Sequence, residues 1–261
     1  MGRILLGVGL AIGITSAMDA AGYTVFSALP LIALFAIFAW LDRIPRRELG
    51  LTLGNASGYA LALAHPLIVI GVLAGLAQLS GALDLSNFDA AKTAKNVAIV
   101  AGATFVMAIV TEEGFFRGWL WAALGRRGIG PVPVLLATTI AFVLWHVPFV
   151  FLSGEFHFAP AEIPLFFANA TLIGLIWGLL RLGTGSILVS SAGHGLWNGL
   201  TYVLFGVGSG TGALGIAQTG TYGPEVGLYA ILLNSAVAAL LWWFYREPLR
   251  KHYEPVRTVT G

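Results

Sequence analysis

Residues 97–124 read VAIVAGATFVMAIVTEEGFFRGWLWAAL. The stretch is long and apolar enough to cross a bilayer as a helix. Yet Glu112, Glu113 and Arg117 fall together near its middle. Each ionised side chain at the centre of a bilayer costs roughly 2.5–3.5 kcal/mol on insertion scales. Intramembrane charges face a bundle interior or a watery cavity, and they mark function. The stretch therefore indicates both a membrane protein and a site buried inside the membrane.

The rest of the chain agrees. Of its 261 residues 57% are hydrophobic and only 10% charged, with a mean hydropathy of +0.86. Soluble domains carry about 25% charged residues, so this chain lacks the means to face water. A net charge of +2, with its cations gathered at particular loops, argues against nucleic acid and for a lipid bilayer as the chain's partner. The absence of cysteine excludes disulfides and thiolate metal sites.

The expected fold is an all-α polytopic membrane protein of about eight helices forming one domain over 1–261. The apolar segments run near 4–19, 23–41, 57–81, 97–123, 133–153, 163–181, 185–205 and 225–245. The first reads as a span, with a signal peptide as its alternative. Arg3, Arg43, Arg46, Arg47, Arg126, Arg127, Arg181, Arg246, Arg250, Lys251 and Arg257 then fall on one side, and Lys92 and Lys95 on the other. The positive-inside rule makes both termini cytoplasmic. The Gly-rich stretch 206–223 contains a formal GxGxxG at Gly210, Gly212 and Gly215. No strand precedes it, so it reads as a flexible outer loop rather than a dinucleotide fingerprint. Glu155 and His157 read as solvated residues of another outer loop, and His252 as part of a basic tail touching anionic lipid.

Polar residues recur at helical spacing. Glu113 and Arg117 are four apart and share a face, while Glu112 lies about 100° round from Glu113. One glutamate can be held by the arginine and the other left free. Phe142 and His146, and His194 and Asn198, repeat the same spacing. All three groups lie roughly 14–22 Å from the arginine-rich ends of their helices, which leans the site toward the cytoplasmic side. The glycine pairs 114/118, 174/178 and 195/199 allow close helix contact beside them. His65, before Pro66, reads as structural, bonding a carbonyl freed by the proline. Asn169 and Asn234 read as interhelical hydrogen bonders.

The residue types suit amide hydrolysis. A desolvated glutamate can take a proton from water, with a histidine sharing that water. A second histidine and an asparagine amide can donate to the oxyanion of a tetrahedral intermediate. Glu112, His146 and His194 also form a set that zinc accepts, although the zincin HExxH is absent.

EEGFFR fits EExxxR, FVLWH fits FxxxH and HGLWN fits HxxxN. In this order on separate helices, they resemble the CPBP family, which includes type II CAAX prenyl endopeptidases and bacterial homologues linked to bacteriocin immunity. The resemblance covers about 97–205, the expected catalytic core. It implies an endopeptidase of the metalloprotease-labelled kind in the cell membrane, with peptide or protein substrates that are prenylated or otherwise membrane-associated. It further implies Glu112 as general base with His146 assisting, His194 and Asn198 as oxyanion site, and Glu113, Arg117 and Phe142 in support. A metal-free glutamate mechanism is favoured, with zinc as the alternative. A proton-coupled transporter and a non-proteolytic scaffold or immunity protein remain competing functions.

Overall fold

The computed structural model describes residues 1–154, 158–206 and 210–253, with side chains up to Arg246 at the C-terminal end. Glu155, His157 and Arg257 lie outside the described residues, as do the side chains of Arg250, Lys251 and His252. Among the described residues there is no strand. Inside hydrocarbon a helix satisfies its own backbone hydrogen bonds, which is why an apolar chain of this kind folds as a helical bundle.

The long helices are α1 (Gly2–Ala20), α2 (Pro30–Leu41), α3 (Ala56–Leu79) and α4 (Ala90–Val110). A π-helix over Glu113–Leu120 continues α4 into α5 (Trp121–Gly125). There follow α6 (Pro131–Trp145), α7 (Val147–Leu152), α8 (Glu162–Thr184) and α9 (Ile187–Leu200). A second π-helix, Thr201–Phe205, extends α9; α10 (Thr219–Tyr222) and α11 (Leu228–Tyr253) close the chain. Starts are set by local chemistry. The Asn55 side chain accepts from the Gly58 amide at 2.7 Å, Asp89 from the Lys92 amide at 2.9 Å, and prolines open α2 and α6. Gly185, at φ 69°, ends α8 in the left-handed conformation that suits glycine.

Among the described residues, seven segments are long and apolar enough to cross a membrane. The expected eighth, 185–205, is α9 with its π extension. It is not among them because it is richer in polar and small residues and lies inside the bundle: Ser190, Ser191, Gly193, His194, Gly195 and Trp197 are all buried. The apolar side chains of the other helices point outward instead, as at Leu5, Ile37, Ile68, Ile140 and Leu232. The segment expected over 4–19 is α1, and it is integral to the bundle. Its Thr15 accepts a hydrogen bond from Trp145 Nε1 at 2.7 Å.

Glycine brings α9 against α4. A methyl group on Gly195 would sit 2.6 Å from the Ala101 carbonyl oxygen, so only a bare backbone fits there. At the arginine-rich end, Arg126 grips Glu48 through two nitrogens at 2.6 and 3.1 Å. Arg3 pairs with Asp42 at 2.7 Å. Burial would raise the Asp42 pKa, but hydrogen bonds from Trp119 and Arg3 outweigh it and hold the carboxyl below its usual range.

Two expectations need correction here. His65 does not bond a carbonyl freed by Pro66; its Nε2 lies 2.8 Å from Asn234 Oδ1. Asn234 donates onward to Asn169 Oδ1 at 2.7 Å, and Asn169 to the Pro224 carbonyl. The two asparagines thus do join helices, with each other as partners. Nor is the Gly-rich stretch simply a free loop. Leu214 and Ile216 are buried, and Ala213 and Leu214 donate to Val203 and Leu204 carbonyls at 2.9 and 3.0 Å.

Candidate functional site

The first motif sits where the helix changes register. Thr111 leaves helical geometry at φ −106°, ψ −106°, and the turns after it are π-helical. Trp121 N–H reaches back five residues to the Phe116 carbonyl. Gly114 and Gly118 lie against Phe35 of α2, so the widened turn meets a flat neighbour. π-Segments of this kind are frequent at functional sites.

The register sends the adjacent glutamates to different places. Glu113 is fully buried with Arg117, their side chains 3.4 Å apart. Arg117 also donates to the Gly174 carbonyl at 3.2 Å, and its guanidinium lies over the Phe142 ring, 4.3 Å from the centroid. A buried charge needs such partners to be tolerable. Glu112 instead lines a cavity of about 720 Å³. Its carboxylate has no hydrogen-bond partner among the described residues.

His146, His194, Asn198 and Phe142 line that same cavity. His146 sits between α6 and α7, and its Nδ1 lies 2.8 Å from the Phe142 carbonyl oxygen. A carbonyl only accepts, so Nδ1 carries the proton and Nε2 is left as the acceptor of a neutral ring. His194 Nδ1 lies 3.3 Å from Glu113 Oε1. By the same logic the ring donates to that carboxylate and presents Nε2 elsewhere. Trp177 of α8 stacks on His194, centroids 3.9 Å apart, and fixes the ring plane.

Among the described residues, no group of three or more His, Cys, Asp or Glu is arranged to hold a metal ion. Glu112, His146 and His194 are not gathered around one point that a zinc ion would occupy; Nδ1 of each histidine bonds a protein acceptor, which leaves Nε2 as the nitrogen available to a ligand.

Sequence reasoning missed several lining groups. Tyr202 continues the spacing of His194 and Asn198 by four more residues and lines the cavity; that periodicity was a usable signal. Trp177, Glu162 and Glu225 also line it, brought in from α8 and the segment before α11. They carried no signal, since only packing between distant segments places them.

The cavity does not lean toward the arginine-rich end, as helix depth suggested. No residue of the loops 42–55, 126–130 or 185–186 lines it. From Glu112 it runs past Thr201 and Phe205 to Val25, Gly210, Thr211, Ala217 and Thr219 at the opposite end. Depth counted along each helix gave the level of the residues, but which end the helices open toward is a property of their packing.

Residues 94–200 match the family model described as Rce1-like, type II CAAX prenyl endopeptidase Rce1-like. The match covers less than half of the chain but contains all three motifs, and it agrees with the family they resemble. No curated protein and no solved structure matches the chain.

Proposed function

We propose that this multi-pass membrane protein is an intramembrane endopeptidase in which Glu112 activates water for attack on a peptide carbonyl. One observation carries the proposal. Glu112, His146, His194 and Asn198, from three separate parts of the chain, line a single cavity, while Glu113 and Arg117 pair behind it. The free carboxylate of Glu112 takes the proton from water and passes it to the leaving amine. The unprotonated Nε2 of His146 holds the same water. Asn198 donates its amide to the oxyanion; His194 donates from Nε2 as an imidazolium whose charge the oxyanion itself offsets, since Glu113 is already paired with Arg117. Arg117 anchors Glu113 and ties the first motif to α8.

The same residues perform hydrolysis without a metal, with 97–205 as the catalytic core of a single membrane domain over 1–261. The matched family supports a peptide substrate at the membrane; in this reading that peptide is prenylated or otherwise membrane-associated and the protein resides in the cell membrane. The test is cleavage of a library of quenched fluorescent peptides, lipidated and unlipidated, by purified protein in detergent. Wild type is expected to turn over at least one peptide, unaffected by chelator. Glu112→Gln is expected to lose that activity while unfolding at the wild-type temperature. Near-normal turnover by Glu112→Gln, or no turnover by wild type, defeats the proposal.

A further inference from the structure

Chain tracing fixes which end of the bundle each loop occupies. Arg3, at the start of α1, bonds Asp42, just past the end of α2. Arg126, just past α5, bonds Glu48 in the loop between α2 and α3. These contacts bring Arg3, Arg126 and the 42–48 loop to one end, together with Arg43, Arg46, Arg47 and Arg127. Successive helices alternate direction, so the described residues of the 21–29, 153–161 and 206–227 connections lie at the other end, where Thr24 bonds Ser153 and Thr219 bonds Glu162. The described charged residues there are few: Lys92 and Lys95, with Asp19, Asp84, Asp89, Glu162 and Glu225. So strong an asymmetry marks the arginine-rich end as cytoplasmic.

Exposure along the cavity wall runs the same way. Its deep residues Phe142, Trp145, Trp177, His194 and Trp197 are buried. Its exposed residues, Val25, Gly210, Thr211, Ala217 and Thr219, all belong to connections at the arginine-poor end. The cavity is therefore continuous with the exterior at that end.

We infer that the cavity is filled from the non-cytoplasmic face of the membrane, and that its ligand is a polypeptide segment exposed at, or embedded just beneath, that face. Calling this ligand a substrate rests on the endopeptidase proposal; the direction of access does not. The lining chemistry narrows the class. Phe149, Phe158 and Phe166 supply an apolar wall, and Glu162 and Glu225 its ionisable groups near the mouth. Among the described residues no lysine or arginine lines the cavity. A free C-terminal carboxylate arriving from the cytoplasm meets neither an opening at that end nor a lysine or arginine on the wall. An internal segment of an exported or membrane-inserted polypeptide meets both an apolar wall and an accessible mouth.

The chain contains no cysteine, so single cysteines report access without background. Thr211→Cys marks the mouth, Tyr202→Cys the level of Asn198, and Arg47→Cys the arginine-rich end. Ala170→Cys, also on the wall, replaces Tyr202→Cys if the latter fails to accumulate. A small, charged, membrane-impermeant thiol reagent is added to intact cells. The expected result is modification at 211 and 202 before permeabilisation and at 47 only after it. Modification at 47 in intact cells, or protection of 211 until permeabilisation, overturns the assigned face. Modification at 211 with none at 202 or 170 in intact cells overturns access through that mouth. None of these outcomes depends on peptide cleavage, so they stand or fall separately from the catalytic proposal.

Discussion

Trp177 lies flat on His194, ring centroids 3.9 Å apart and planes 14° from parallel. The indole comes from α8 and the imidazole from α9, so the stack couples two helices at the point where the site is built. It leaves His194 one orientation, Nδ1 toward Glu113 and Nε2 away from it. Trp177 is a positioning residue. Trp177→Leu should lower kcat about tenfold or more, equivalent to roughly 1.4 kcal/mol of lost transition-state stabilisation, with KM little changed. Trp177→Phe, which keeps a ring, should recover most of the loss. Steady-state kinetics of the three proteins checks this; equal damage from both variants, or an effect confined to KM, would count against a stacking role.

The Glu113–Arg117 pair should dominate local stability. Both side chains are fully buried, so removing one partner strands the other's charge. Arg117→Met should destabilise the fold by about 3–5 kcal/mol. The double variant Glu113→Gln, Arg117→Met should be less destabilised than that single variant, because no charge is left unpaired. Denaturant unfolding in detergent, followed by tryptophan fluorescence, gives the comparison. Additive losses in the double variant would show that the two groups are not coupled.

Part of this site was legible in one sequence. Four-residue spacing puts Arg117 beside Glu113 whether the turn is α or π, so the pairing survived the unforeseen register. Gly195 and Gly199 announced a close helix contact, and α4 proved to be the neighbour. What escaped was contact between distant segments. Nothing in HGLWN names Glu113 as the acceptor for His194, 81 residues away in the chain, and nothing in α8 names Trp177 as its stacking partner. Hydropathy separates α9 from the lipid-facing spans, but an expectation built on apolar length alone counts it with them; its small and polar residues are tolerable because helices surround it. Its slightly polar composition is itself the mark of a central helix.

The His65–Asn234–Asn169 chain should hold α3, α11 and α8 together. Each amide donates to the next acceptor, and the last donates to the Pro224 carbonyl beside the cavity. Asn234→Leu removes the central link and leaves a buried histidine nitrogen and the Asn169 carbonyl oxygen unpaired. The expected loss is about 1–2 kcal/mol of stability. Asn169→Leu should cost a similar amount and, because Asn169 itself lines the cavity, should also change KM. Unfolding curves and steady-state kinetics separate these effects; an Asn234→Leu protein as stable as wild type would show that the chain contributes nothing.

Glu225 should make stability depend on pH near neutrality. It lies in the turn before α11, on the cavity wall, and its carboxylate has no hydrogen-bond or ion-pair partner among the described residues. Burial raises its pKa to about 7 from 4.5. The folded protein therefore holds a proton there that the unfolded chain has already released. Between those two values folding takes up a proton, so stability falls as pH rises. The contribution is fully present below about 4.5 and is lost as the pH passes through about 7. Glu225→Gln cannot titrate, and its melting temperature should decline less than that of wild type from pH 5 to pH 7.5. Parallel melting curves for the two proteins across that range would place the titration elsewhere.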